Sequence, residues 1–132
     1  MAPLNLAGKL QIKPGNLVLV LGAPDGYLDK LQPLPDGVEV REEAGEFFDV
    51  IQAFVRDRDD LDEVVELVLE ALKPGGILWM SYPKRSSKVP TDLSRDAGWD
   101  PLYQAGRGPV AAISIDEVWS GLRFGLRPDL GG

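Results

Sequence analysis

Short apolar runs, separated by turn residues and charged segments, dominate the pattern of this chain. Leu17–Leu21 contains no polar residue, so it predicts a strand that helices cover on both faces of a parallel sheet. Residues 38–40 and 48–55 predict a second and a third strand of the same kind. Residues 1–16 show no clear period and are expected to form an irregular lead-in.

Two of the segments between these runs have the spacing of helices. A short helix is predicted to begin near residues 26–27. Residues 61–72 predict a longer one, because their apolar side chains recur at helical spacing and the acidic side chains lie mainly opposite. Asp59 or Asp60 is the expected N-cap, and the Lys-Pro-Gly-Gly turn at residues 73–76 is expected to end the helix.

The C-terminal half predicts three more strands, at residues 77–82, 110–115 and 122–127. The last of them alternates apolar and polar residues, which is typical of a strand with one face in water. A weak helix is predicted near residues 91–96 and a bend at residues 116–121. Strand–helix alternation followed by a terminal antiparallel pair predicts an α/β domain, with a mostly parallel open sheet of about six strands flanked by helices.

The composition narrows the chemistry of this domain. A chain of 132 residues suits one domain, which we place at residues 17–127, with residues 128–132 as a flexible tail. The chain has no cysteine and no histidine, so it lacks the commonest metal ligand and the usual proton-transfer side chain, and no metal site is predicted. The net charge of −7 argues against a nucleic-acid partner. Without a long apolar segment or a secretory signal, the protein is expected in the cytoplasm and not in a membrane.

The order of these features resembles the class I S-adenosylmethionine-dependent methyltransferase fold. That fold has an apolar first strand with a glycine-rich loop, a second strand followed by an acidic residue, and a strand–helix unit closed by a Lys-Pro-Gly-Gly turn. The corresponding segments are residues 17–26, 38–43 and 48–82, and the resemblance covers most of residues 13–127. It implies a reduced, Rossmann-like methyltransferase core with strand order 2-1-3-4-6-5 and an antiparallel C-terminal strand.

Four shorter runs resemble more closely a family of small bacterial proteins of unknown function. They are Lys-Pro-Gly at 13–15, Leu-Gly-Ala-Pro-Asp-Gly-Tyr at 21–27, Ser-Tyr-Pro-Lys at 81–84 and Ile-Asp-Glu-Val-Trp-Ser at 115–120. This closer resemblance implies no activity.

The chain departs from the methyltransferase pattern in its cofactor loop. The family's loop reads acid-x-Gly-x-Gly-x-Gly. Gly22 and Gly26 match its first and third glycines, while Val20 replaces the acid and Pro24 the middle glycine. Proline offers the cofactor neither a close backbone approach nor an N–H group. The Asn/Asp-Pro-Pro-Tyr signature of amino-group methyltransferases is also absent from residues 55–58, and the family's third strand–helix unit is replaced by a short connection.

The resemblance implies S-adenosylmethionine as a possible cofactor, although the degenerate loop makes none certain. The residues it places at the cofactor are Gly22, Ala23, Asp25, Gly26, Glu42 and Glu43. The last two would accept hydrogen bonds from a ribose diol at the carboxyl edge of the sheet. For the glycine loop, the alternative is a tight turn that binds nothing. For Glu42 and Glu43, it is a solvated pair of charges.

A second group of candidate residues is cationic. Arg56 follows the third predicted strand, and Lys84, Arg85 and Lys88 follow the fourth. Because both loops leave the carboxyl edge of a parallel sheet, these side chains are predicted to form one rim that binds a phosphate or carboxylate. The alternative is a solvated, mobile loop.

Other residues with possible chemistry are expected to be structural. The three tryptophans could stack on a planar ligand, but Trp79 lies in a predicted strand and is expected in the core. Trp99 and Trp119 lie beside turns and are expected to pack in the core or at its rim. On a strand, Asp116 and Glu117 would point to opposite faces, which argues against a paired acid–base site.

Three functional hypotheses follow. The first is a methyltransferase-like domain without catalysis that binds a small ligand or a protein partner at the carboxyl edge of the sheet. The second is a minimal S-adenosylmethionine-dependent methyltransferase, because methyl transfer depends mainly on positioning. The third is another class of enzyme that acts on a phosphorylated or carboxylated substrate at the cationic rim. An exposed sheet edge could pair with another chain, so the oligomeric state stays open.

Overall fold

A computed structural model describes residues 5–126, which form a six-stranded sheet with helices on both faces. The helices are α1 (Leu6–Lys9), α2 (Tyr27–Lys30), α3 (Arg58–Ala71) and α4 (Asp100–Gln104). The strands are β1 (Leu17–Leu21), β2 (Glu39–Arg41), β3 (Phe48–Phe54), β4 (Leu72–Pro83), β5 (Arg107–Ser114) and β6 (Trp119–Leu126). None of the helices in this part of the chain is long and apolar enough to cross a membrane.

The strand order is β2-β1-β3-β4-β6-β5. Strands β2, β1, β3 and β4 are parallel to their neighbours, while β6 runs antiparallel to both β4 and β5. The predicted α/β class, the mixed six-stranded sheet and its strand order are therefore confirmed.

The apolar runs are buried because each supplies side chains to two cores. Leu19 and Leu78 point to the face that α3 and α4 cover. Val18, Val20 and Trp79 point to the opposite face, against α1 and α2. Trp79 is 1% exposed, so its predicted place in the core is confirmed.

The expectation of an irregular segment before β1 is wrong for Leu6–Lys9, which form α1, while residues 10–16 contain only turns and irregular backbone. Asn5 caps α1, because its Oδ1 accepts a hydrogen bond from the Gly8 N–H at 2.9 Å. The side chain of Leu10 is buried, and the Leu10 backbone carbonyl accepts a hydrogen bond from the Trp79 Nε1–H at 3.0 Å. The segment therefore belongs to one of the two cores. Residues 1–4, the last residue of the strand predicted at 122–127 and the predicted tail at 128–132 lie outside the described residues.

Helix α3 begins earlier than predicted. Its N-cap is Asp57, whose Oδ1 accepts from the Asp60 N–H at 2.9 Å, so the assignment of the cap to Asp59 or Asp60 is wrong. The carboxylate of Asp60 accepts from Arg56 instead. The helix ends at Ala71, and β4 starts at Leu72, with an irregular register to β3 before its regular pairing.

The helix predicted near residues 91–96 does not form. This segment contains a turn in which Ser94 pairs with Ala97, and the nearby helix is α4, with Pro101 in its first turn. Proline is suited to that position because it needs no N–H partner there.

Candidate functional site

The glycine loop joins β1 to α2 at the carboxyl edge of the sheet. Gly22 and Gly26 have φ angles of +68° and +79°, which side chains other than glycine rarely adopt. Gly22 also lies very close to β3, since a Cβ there would be 3.0 Å from the Phe54 carbonyl oxygen. The first glycine is thus needed both for the turn and for the close approach of two strand ends.

A cleft of about 440 Å³ opens on the β3 side of this loop. That volume lies within the range of about 300–1,000 Å³ that is usual for small-molecule sites. We call it the aromatic cleft; it is lined by Gly22, Pro24, Phe54, Arg56, Asp60, Glu63, Val64 and Trp119.

The rings of Phe54 and Trp119 form the apolar wall of the aromatic cleft, and Tyr27, which lines the smaller cavity at the same loop, packs against Phe54. The ring centroid of Phe54 lies 5.1 Å from that of Trp119 and 4.6 Å from that of Tyr27, and both pairs pack edge to face. Below them, the buried hydroxyl of Tyr27 donates to Gln52 Oε1 at 2.6 Å, and Gln52 Nε2 donates to Ser81 Oγ at 3.0 Å. Burial raises the pKa of Tyr27, so its phenol stays protonated as a donor. This network fixes the ring of Tyr27, which packs against Phe54 of the cleft.

The other end of the aromatic cleft is charged. Asp60 Oδ2 accepts from the Arg56 backbone N–H at 2.9 Å and from Arg56 Nε at 3.2 Å. The hydrogen bond from the Arg56 backbone, with the nearby guanidinium, lowers the pKa of Asp60, which is therefore a carboxylate at neutral pH. With Glu63, the cleft holds one cation and two anions.

A smaller cavity of about 240 Å³ lies on the α2 side of the loop. Ala23, Asp25, Gly26 and Glu42 all line it, so one of the two predicted ribose carboxylates does meet the glycine loop. Glu43 does not line it, but lines an adjoining cavity of about 490 Å³ that shares Glu42 and Leu28 with it.

Pro24 separates the two cavities at the glycine loop. It is the one residue that lines both the aromatic cleft and the smaller cavity beside Glu42. An extended ligand that contacted Glu42 and Gly22 together would therefore meet Pro24, which has no N–H to offer it.

The predicted cationic residues fall in different places. Arg56 lines the aromatic cleft, whereas Lys84 and Arg85 line another cavity together with Arg95. Lys88 lines neither of them. The four cations are thus not gathered at one cavity.

Trp119 was expected in the core or at its rim, and it lines the aromatic cleft in a position that depends on the turn before β6. Asp116 Oδ1 accepts from the N–H groups of Val118 and Trp119, both at 2.8 Å, and its Oδ2 accepts from Lys30 Nζ at 3.0 Å. Asp116 and Glu117 therefore lie in the bend predicted at residues 116–121, which is confirmed for residues 116–118, while β6 already begins at Trp119. The signal in the sequence was an aspartate two residues before an apolar pair, which is typical of a side-chain-stabilised turn.

Another cavity, of about 540 Å³, lies along α3 and brings none of the predicted site residues together. Within residues 5–126 there is also no group of three or more Asp, Glu, His or Cys side chains suited to a metal ion.

No protein-family model matches this sequence, and no curated protein matches it. Solved structures do. A ribosomal protein L11 methylase from Lactobacillus delbrueckii subsp. bulgaricus is 13% identical, with a TM-score of 0.60 over 91% of this chain and 74% of that one. The Methanococcus jannaschii fibrillarin pre-rRNA processing protein is 17% identical, with a TM-score of 0.61 over 86% and 67%.

A third similar structure is the complex of DhpI with SAH. It is 16% identical, with a TM-score of 0.62 over 94% of this chain and 83% of that one. Identities this low establish a common fold and no common activity. Together with the strand order, these similarities show that the chain has the class I methyltransferase-like, Rossmann-like fold.

Proposed function

We propose that this protein is a methyltransferase-like domain that binds a small zwitterionic ligand of the amino-acid class in the aromatic cleft, without transferring methyl groups. The observation that supports this most strongly is the composition of the cleft. Opposite charges at Arg56, Asp60 and Glu63 stand at one end, and the rings of Phe54 and Trp119 form the wall.

The chemistry of each end matches one part of such a ligand. The guanidinium of Arg56 can bind a carboxylate through two parallel hydrogen bonds. Asp60 and Glu63 can bind an ammonium group, which is also attracted to the faces of aromatic rings. The side chain of Arg56 is 67% exposed, so it is free to turn from Asp60 towards a ligand without unfolding anything around it.

The loop argues against catalysis with S-adenosylmethionine. Pro24 stands between the cavity with Glu42 and the aromatic cleft, and it has no N–H to offer a cofactor. Of the two cavities that Glu42 lines, the one at the glycine loop is smaller than about 300 Å³, the lower end of the usual range for ligand sites.

One observation favours the alternative, a minimal S-adenosylmethionine-dependent methyltransferase. Glu42 shares a cavity with Ala23, Asp25 and Gly26, as the resemblance to that family implies. In this case the adenosine would bind beside Glu42 and the methionine end would enter the aromatic cleft.

Calorimetric titration with L-methionine, L-phenylalanine, S-adenosylmethionine and S-adenosylhomocysteine separates the two. Under our proposal, methionine and S-adenosylmethionine bind with affinities within about tenfold of each other, because only the zwitterion is held. Arg56→Gln then weakens both, while Glu42→Gln weakens neither.

Under the alternative, S-adenosylmethionine binds more than about a hundredfold tighter than methionine, and Glu42→Gln weakens it. Glu43→Gln is the matched control, because it removes the neighbouring charge outside the loop cavity. If neither amino acid gives heat or thermal stabilisation at about 10 mM, our proposal is wrong.

A further inference from the structure

A second cavity at the carboxyl edge, of about 510 Å³, is rich in positive charge. We call it the cationic pocket; it is lined by Tyr82, Lys84, Arg85, Ser86, Ser94, Arg95, Asp96 and Ser120. It shares no residue with the aromatic cleft, although Trp119 of the cleft and Ser120 of the pocket are neighbours at the start of β6.

The loop after β4 is held in place on the pocket side. The Lys84 N–H donates to the Val118 carbonyl at 2.7 Å, which ties the loop to the turn before β6. Ser87 then donates to the Lys84 carbonyl from both its N–H, at 3.0 Å, and its hydroxyl, at 2.7 Å. Lys84, Arg85 and Ser86 therefore belong to a hydrogen-bonded turn.

The other loop of the pocket, which contains Ser94, Arg95 and Asp96, is held by contacts with the core. Trp99 is fully buried, and its Nε1–H donates to the Ser94 carbonyl at 2.7 Å. The Ser94 N–H also donates to the Ala97 carbonyl at 3.1 Å. These contacts hold Ser94 and Arg95 opposite the first loop.

The charges of the pocket are not neutralised by partners. Three cations face a single carboxylate, Asp96, in a chain whose net charge is −7. Among residues 5–126, Arg85 and Arg95 form no salt bridge, and the Lys84 ammonium donates to the Ser114 hydroxyl at 2.7 Å rather than to a carboxylate. Like charges that line one cavity repel each other, so an anion in the pocket would relieve the repulsion.

We propose that the cationic pocket binds a phosphate group, either free or as the monoester of a small molecule. Guanidinium groups donate paired hydrogen bonds to phosphate oxygens, and a lysine adds a compact charge. A phosphate has close to two negative charges and three strong acceptor oxygens, which suits three cations with three serine hydroxyls better than a single carboxylate does.

Tyr82 lines the wall of the pocket as a neutral phenol, like any tyrosine at neutral pH. Burial raises its pKa, although the nearby Arg95 acts in the opposite direction.

The test is a titration of the full chain with inorganic phosphate, glycerol 3-phosphate and malonate at constant ionic strength, followed by calorimetry and by thermal unfolding. We expect saturable binding of phosphate or its monoester, and binding of malonate at least about tenfold weaker. Tighter binding of the monoester than of free phosphate would identify an esterified ligand, and the reverse order would identify the free ion.

Matched variants decide whether the pocket is responsible. Arg85→Gln and Arg95→Gln should each weaken phosphate binding by about tenfold or more. Lys88→Gln removes the same charge from the same loop outside the pocket and should leave binding unchanged. Because both arginines are exposed, we expect their variants to have the same unfolding temperature as the wild type without phosphate.

Three results would overturn the proposal: no saturable phosphate binding below about 20 mM, equal binding of malonate, or equal losses from Lys88→Gln and the arginine variants. This proposal does not rest on the proposed function, since the two cavities have no lining residue in common. Arg56→Gln, which tests the aromatic cleft, should leave phosphate binding unchanged.

Discussion

Replacing Gly22 with alanine should destabilise the domain more than the same change at Gly26. Both glycines have left-handed φ angles, +68° and +79°, so alanine pays about 1–2 kcal/mol for that conformation at either position. At Gly26 a new Cβ meets no atom within 4 Å, and this conformational cost is the whole effect. At Gly22 the Cβ would lie 3.0 Å from the Phe54 carbonyl oxygen, a backbone atom that cannot rotate away. Overpacking of this kind costs about another 1–3 kcal/mol.

Urea unfolding of the wild type and the two variants measures this difference. With an unchanged m-value, the shift in midpoint reports the free energy of unfolding directly. We expect losses of about 1–2 kcal/mol for Gly26→Ala and about 2–5 kcal/mol for Gly22→Ala. Equal losses would refute the reasoning, because they would mean that β1 and β3 do not approach closely at Gly22. The geometry of the aromatic cleft would then also be in doubt.

Three further predictions concern residues that support the site. Asp57→Ala should lower the free energy of unfolding in urea by about 1 kcal/mol because it removes the N-cap of α3. Asp59→Ala should change it by less than about 0.5 kcal/mol, and the opposite ranking would mean that Asp57 is not the cap. Tyr27→Phe leaves the buried Gln52 Oε1 without its donor and should cost about 1–3 kcal/mol in the same assay, and a neutral result would mean that this hydrogen bond is not formed. Burial alone would raise the pKa of Asp116, but hydrogen bonds from the backbone and Lys30 outweigh it and lower the pKa below 3.8. The Asp116 carboxylate therefore stabilises the fold above pH 3.8, and this contribution is lost as the pH falls towards the lower pKa of the folded state. Asp116→Asn should accordingly reduce the fall of the urea midpoint between about pH 5 and pH 3. The same pH dependence in variant and wild type would contradict this.

The strands could be predicted because burial on two faces leaves a direct signal in the sequence. Leu17–Leu21 has no polar residue, since its side chains pack alternately in two cores. Helix α1 left no such signal, because four residues are too short to show a period. Its stability comes from Leu10 and the distant Trp79, a contact that no local pattern contains.

The candidate sites were harder to predict because they depend on which loops the fold brings close together. The glycines at positions 22 and 26 were recognisable, since left-handed turns require them. Arg56 was grouped with the cations after β4 by charge and by the strand end alone. Asp60, four residues further along the chain, was the local signal that it pairs elsewhere. Arg95 was missed, because only the fold brings its loop to Lys84.

The start of β6 connects the two candidate sites. Trp119 lines the aromatic cleft and Ser120 lines the cationic pocket, and successive residues of a strand point to opposite faces. Asp116 holds the turn that fixes both, through its hydrogen bonds to the N–H groups just before and at Trp119. A change at this turn should therefore disturb both cavities, whereas a change at Arg56 or Arg95 should disturb one. For this reason binding losses caused by residues 116–118 cannot assign a ligand to either site, and the single-cavity variants have to do so.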